Sequence, residues 1–165
     1  MLKNGVVGAV ILGVSGWVMA GDAEDRIEKM IASGKAYSTQ SIMKEYEQLE
    51  AIDTSFLLGT WKGGKFDGGK MPDPIKWYGK RFDSRDQVEP LLVYGEDGSV
   101  QVFDKLGAAR MRNIEFKGKV SASLIYDKQP IMDYFRKVND NVVIGYGEVK
   151  GQPDSNFFFH LTRQP

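Results

Sequence analysis

A lone tryptophan among glycines, in Phe56-Leu57-Leu58-Gly59-Thr60-Trp61-Lys62-Gly63-Gly64, opens a long stretch in which apolar residues recur at every second position. That period belongs to a strand with one face buried. Turn chemistry interrupts it at short intervals: Gly63-Gly64, Asp67-Gly68-Gly69, Asp97-Gly98, Lys117-Gly118, Asn139-Asp140-Asn141 and residues 151–155. The spacing predicts strands near 56–66, 77–82, 89–94, 99–104, 110–117, 119–127, 131–138, 142–149 and 156–163. With no crossover helices between them, they form an antiparallel meander that must stack as a sandwich or curl shut. Glycines within the strands favour coiling and closure. Pro72 and Pro74 cannot donate to a ladder, so residues 71–75 read as a loop over the rim.

Upstream the period changes to that of a helix. Ile27, Met30 and Ile31 form an apolar stripe that ends at Gly34, and Ile42, Met43, Tyr46, Leu49 and Ile52 form a second, capped by Ser38 or Thr39 and expected to reach Ala51. These helices are expected to pack on the strands or to cover one mouth. The predicted organisation is a leader over 1–20, a helical segment over 21–55 and a β-barrel over 56–165.

Residues 1–20 combine Lys3, an uncharged run from Val6 to Val18 and a small-residue boundary at Val18-Met19-Ala20. This is the pattern of a secretory signal peptide, with an uncleaved membrane anchor as the rival; a buried core helix would show a polar face. The expectation is export, to the periplasm, with membrane association through residues 1–20 if the leader stays.

The 22 basic residues balance 22 acidic ones, which gives no electrostatic footprint for a nucleic acid. Absence of cysteine excludes disulfides, thiolate metal sites and cysteine nucleophiles. His160 is the only histidine, which argues against a multi-histidine metal site and leaves one candidate base for a serine triad.

Several residues combine apolar area with charge. Trp77-Tyr78-Gly79-Lys80-Arg81-Phe82 places Trp77, Gly79 and Arg81 on one face by strict alternation, and Tyr78, Lys80 and Phe82 on the other. Arg110, Arg112, Tyr126, Tyr134 and Arg136 come from neighbouring strands whose side chains could converge. Arg136 shares a face with Met132, Tyr134 and Val138, so it needs a partner: Glu115, Asp127, Glu148 or a ligand head group. Asp127 reads first as a turn aspartate before Pro130; Asp127 or Asp133 would be the base of an enzyme acting on a lipophilic substrate, with a tyrosine polarising an oxygen.

Three resemblances refine this reading. Trp61 after Gly59, with Arg163 ending the last strand, resembles the lipocalins and related calycin barrels, in which such an arginine stacks on the first-strand tryptophan. His160, late in the chain, is similar in position to the histidine of the nitrobindins, which implies haem or gas binding as an alternative. The ordered set Gly59-Thr60-Trp61-Lys62-Gly63, Trp77 to Phe82, Ala109 to Arg112, Ser121-Ala122, Tyr126 to Ile131 and Phe135-Arg136 resembles the bacterial family built from a GXWXG domain followed by a DUF4334 domain, with parts at about 56–104 and 108–165. That resemblance implies a calycin-like barrel of about eight or nine antiparallel strands preceded by one or two helices, with an apolar interior that binds a lipid or similar molecule and no established reaction. The ligand-binding candidates are Trp77, Tyr78, Arg81 and Arg112, with Tyr126, Tyr134, Arg136 and Tyr146. An arginine at 81, 112 or 136 is expected to meet a ligand carboxylate or phosphate. Gly59, Trp61, Gly63 and Arg163 are the structural signature, and no cofactor or metal is expected.

Overall fold

The computed structural model describes residues 22–165, so the predicted leader over 1–20 lies outside the described residues. Helix α1 (Asp22–Ser33) begins with Asp22, Glu24 and Asp25, whose charges suit the positive end of its dipole. Helix α2 (Thr39–Tyr46) is capped by Ser38, whose Oγ accepts from the Ser41 amide at 3.1 Å. It ends at Tyr46, short of the predicted Ala51. There the chain tightens into turns that bury Leu49, and the Lys119 ammonium takes the carbonyls of Gln48 and Leu49 at 3.1 and 2.5 Å. No helix among the described residues is long and apolar enough to cross a membrane.

A 3-10 turn, Thr54–Leu57, follows, with the Asp53 side chain capping it, so Phe56 and Leu57 precede the first strand instead of opening it. Among the described residues nine strands then run in sequence: β1 (Gly59–Lys65), β2 (Trp77–Ser84), β3 (Gln87–Tyr94), β4 (Val100–Val102), β5 (Ala109–Phe116), β6 (Lys119–Tyr126), β7 (Ile131–Asn139), β8 (Val142–Val149) and β9 (Phe157–Arg163). All pairings are antiparallel, in the order β2-β1-β9-β8-β7-β6-β5-β3-β4. Because β2 also pairs with β3, the sheet returns on itself and encloses an interior, a barrel-like architecture. Its narrowest seam joins β3 to β5 through the single register pair Val88–Ala109.

Two apolar layers result. Inside the sheet lie Trp61, Phe82, Met111, Leu124, Phe135 and Phe159. Outside it, Ile27 of α1 and Ile42 and Tyr46 of α2 cover Val138, Ile144 and Phe158. Full burial of each such side chain stabilises by roughly 1.5–3 kcal/mol. Strand β7 is therefore covered on both faces, and Asp133, Tyr134, Phe135 and Arg136 are buried in succession. Asp133 and Phe135 point inward; Tyr134, Arg136 and Val138 point outward, toward the helices.

Candidate functional site: a charge pair inside the sheet

Among the described residues, the interior holds one ion pair. Lys80 Nζ lies 2.9 Å from Asp133 Oδ2, with side-chain exposures of 3% and 0%. The ammonium also donates to the Pro90 carbonyl at 3.0 Å and to the Tyr126 hydroxyl at 3.1 Å, so three oxygens surround it. Neither carboxylate oxygen of Asp133 accepts a hydrogen bond among the described residues; Oδ2 has the Lys80 ion pair and Oδ1 has no such contact. Burial works against the charge on Lys80, but the Asp133 carboxylate and Tyr126 more than restore it, so the ammonium is held above the ordinary lysine range. Burial pushes the Tyr126 hydroxyl up to about 12, against the pull of Lys80.

Lys80 reaches the interior through an irregularity. The β2–β3 register shifts between Trp77 and Gly79 and again between Gly79 and Arg81. These bulges bring Trp77 and Lys80 to the same inward side, although they are three positions apart. The ammonium is then ringed by aromatic faces, its Nζ 5.0 Å from the centroid of Phe159, 5.4 Å from Tyr126 and 5.9 Å from Trp77. Trp77 stands edge-on to Phe159 at 5.8 Å and donates Nε1–H to the Gly79 carbonyl at 3.0 Å. Above the pair the walls are apolar and reach solvent: Trp77 and Ile131 are half-buried, and Phe157, 5.8 Å from Phe159, is 44% exposed.

The opposite end is closed. Trp61 is fully buried and donates Nε1–H to the Leu57 carbonyl at 2.7 Å, tying the strand to the 3-10 turn. The Arg163 guanidinium lies 4.2 Å from the Trp61 ring centroid and donates to the carbonyls of Leu58 and Phe56 at 3.0 and 2.8 Å. Gly59 has φ +112, which L side chains rarely adopt, and Gly63 lies directly against the Trp77 ring, where an added Cβ would come within 2.3 Å of its Cη2. The glycine-tryptophan-glycine signature thus positions both tryptophans, one closing the base and one flanking the charge pair.

A family model described as "GXWXG protein" matches residues 44–98, and one described as "Domain of unknown function (DUF4334)" matches residues 107–163. A crystal structure of a protein from Thermomonospora curvata is similar over 87% of this chain and 99% of that one, at 48% identity and a TM-score of 0.80. The chain belongs to the GXWXG/DUF4334 family. No curated protein matches it.

Of the ligand-binding candidates read from the sequence of this GXWXG/DUF4334 protein, the structure places Trp77 and Tyr126 beside the interior charge pair, to which Asp133, the candidate base, itself belongs. Tyr78 faces outward, edge-on to Tyr94 at 5.3 Å. Arg81 lies on the surface 3.3 Å from Asp83, and Arg112 pairs with Asp86 at 2.8 Å. Neither is the interior anchor that alternation suggested, because the β2 bulges invert the facing of Trp77 relative to Arg81 and because Met111, not Arg112, points inward on β5. Tyr134, Tyr146 and Arg136 lie between sheet and helices. Phe116 stacks on Tyr134 at 4.1 Å and on Tyr146 at 5.4 Å, and Tyr134 donates to Glu148 at 2.7 Å. Arg136 donates to the carbonyls of Phe135 and Phe116 at 3.0 and 2.6 Å and lies 5.0 Å from the centroid of the Tyr46 ring. The expected convergence of Arg110, Arg112, Tyr126, Tyr134 and Arg136 therefore does not occur: Tyr126 points inward and the others outward.

Asp127 is half exposed and pairs with Arg110, whereas Asp133 is the buried acid. His160 faces outward against Phe66, 5.4 Å between ring centroids, with Nε2 seated over Gly64 and Nδ1 buried without a hydrogen-bond partner among the described residues. A polar depression of about 390 Å³ lies beside the 3-10 turn and the β2–β3 turn, lined by residues that include Asp53, Asp83, Arg85 and Asn113. Asn113 and the Ser55 amide already satisfy Asp53 there, at 2.8 and 3.0 Å. Among the described residues no group of three or more His, Asp or Glu side chains is placed to hold a metal ion.

Sequence reasoning missed Lys80. The signal was present in the spacing: Lys80 precedes Phe82, and Asp133 precedes Phe135, by two positions, which puts each charge on the face of a core phenylalanine.

Proposed function

We propose that this chain is a non-enzymatic binding protein that takes a small apolar or amphipathic molecule into the Trp77 end of its sheet. The observation that carries the reading is the Lys80–Asp133 pair, removed from solvent, ringed by aromatic side chains and set below an apolar, partly exposed rim. An ion pair of this kind adds little to stability over an apolar replacement, so recognition accounts for it better than folding does. Small-molecule sites combine apolar walls with a few placed polar groups, and a closed sheet of about eight strands has an interior of the size that side chains fill or one small ligand occupies. In this reading the polar anchor passes from Arg81, Arg112 and Arg136 to Lys80, Asp133 and Tyr126. The reading includes export, supported by Lys3, the Val6 to Val18 run and the boundary at Ala20.

Native mass spectrometry of protein purified from its own exported fraction, followed by organic extraction, tests both parts. The expected result is a defined small-molecule adduct on a chain cleaved after Ala20. A bare mass that takes up neither fatty acids, alcohols nor phospholipids would overturn the binding reading, and its absence from any exported fraction would overturn the localisation.

A further inference from the structure

The hydrogen-bond inventory around the charge pair is unequal, and the inequality bears on what a ligand must bring. Lys80 donates to the Pro90 carbonyl and the Tyr126 hydroxyl and lies in ion-pair contact with Asp133 Oδ2. An incoming anion would compete with Asp133 for the ammonium and would add uncompensated charge to a pair that is neutral as it stands. An incoming ammonium would likewise leave the interior with excess charge. The groups that lack a hydrogen bond among the described residues are acceptors, the two carboxylate oxygens of Asp133, on a side chain with no solvent exposure; Oδ2 faces the Lys80 ammonium at 2.9 Å, which leaves Oδ1 as the oxygen open to a new donor. On β7 it lies one inward position from Ile131, a half-buried residue of the apolar rim. Resting on the binding function proposed above, we infer that the molecule this interior takes carries a neutral hydrogen-bond donor, an alcohol hydroxyl, received by Asp133 Oδ1, on an apolar body that packs against Trp77, Phe157 and Phe159. A hydroxyl satisfies the carboxylate without changing the net charge of the site, and the aromatic walls suit the body that carries it.

Four probes of similar length separate the possibilities: 1-octanol, its isomer 1-methoxyheptane, octanoate and octylammonium, titrated into the full chain with tryptophan fluorescence and calorimetry as readouts. The ether has the shape and acceptor of the alcohol but no donor. Octanol is expected to bind on the order of tenfold more tightly than the ether and than either charged probe. The double variant Lys80→Met/Asp133→Leu, with an apolar interior, is expected to bind alcohol and ether alike. An ether that equals the alcohol, or an octanoate or octylammonium that equals or exceeds it, would overturn the head-group inference while leaving the binding function standing. Silence of the unmodified protein toward all four would overturn that function and the inference with it. The comparison on the unmodified chain decides the matter even if the double variant does not fold.

Discussion

The Arg163 guanidinium covers the Trp61 indole at 4.2 Å while its two terminal nitrogens hold the carbonyls of Leu58 and Phe56, so one side chain fastens the last strand, the first strand and the 3-10 turn together. Arg163→Ala is expected to cost about 2–3 kcal/mol, combining a cation–π contact with charge-assisted hydrogen bonds. Arg163→Lys should recover only part, because an ammonium cannot fork to two carbonyls while lying flat on the ring. Urea denaturation of the two variants measures both effects.

Gly63→Ala should displace the Trp77 ring, whose Cη2 would lie 2.3 Å from the new Cβ. The expected cost is about 1–3 kcal/mol, as for overpacking a core. Near-ultraviolet circular dichroism should change at the tryptophan bands even where the fold survives.

Lys80→Met alone leaves Asp133 buried without its cation and should destabilise by roughly 3–5 kcal/mol. Adding Asp133→Leu should return most of that loss. A double-mutant cycle by chemical denaturation reads the coupling, and two single costs that simply add would contradict the pairing.

His160 is held neutral by burial, which lowers its pKa to about 4 from the ordinary 6.5. The unfolded chain therefore binds the proton first as the pH falls. The stability tied to this residue is complete above about pH 6.5 and is lost as the pH falls toward 4, by on the order of 1–3 kcal/mol. Denaturation curves between pH 7 and pH 4.5 should show the decline, and His160→Leu should flatten the part due to this residue.

Arg136→Met should cost about 1–3 kcal/mol by leaving the carbonyls of Phe116 and Phe135 unmet. Because Arg136 lies between sheet and helices, uptake of octanol should be unchanged. A loss of uptake in a variant with native circular dichroism would return Arg136 to the list of ligand contacts.

The architecture was readable because its determinants are local: alternation, glycine turns and the proline pair place the strands close to their observed bounds. What local pattern does not carry is facing. Two register shifts in β2 bring Trp77 and Lys80 inward together, and no periodicity foretells a bulge. Helices over β7 bury its outer face, so Tyr134 and Arg136 resemble interior residues while lying in a different layer. Phe56 fits the strand pattern in sequence because its apolar neighbours suit either a strand or a closing turn.

Lys80 belongs to the segment matched as GXWXG and Asp133 to the segment matched as DUF4334, and the same division separates Trp61 from Arg163. What carries two names is one folding unit. A gene fragment encoding either part alone would inherit one half of a neutral pair, a buried charge with nothing to cancel it. The two parts are therefore expected to fold only in each other's presence.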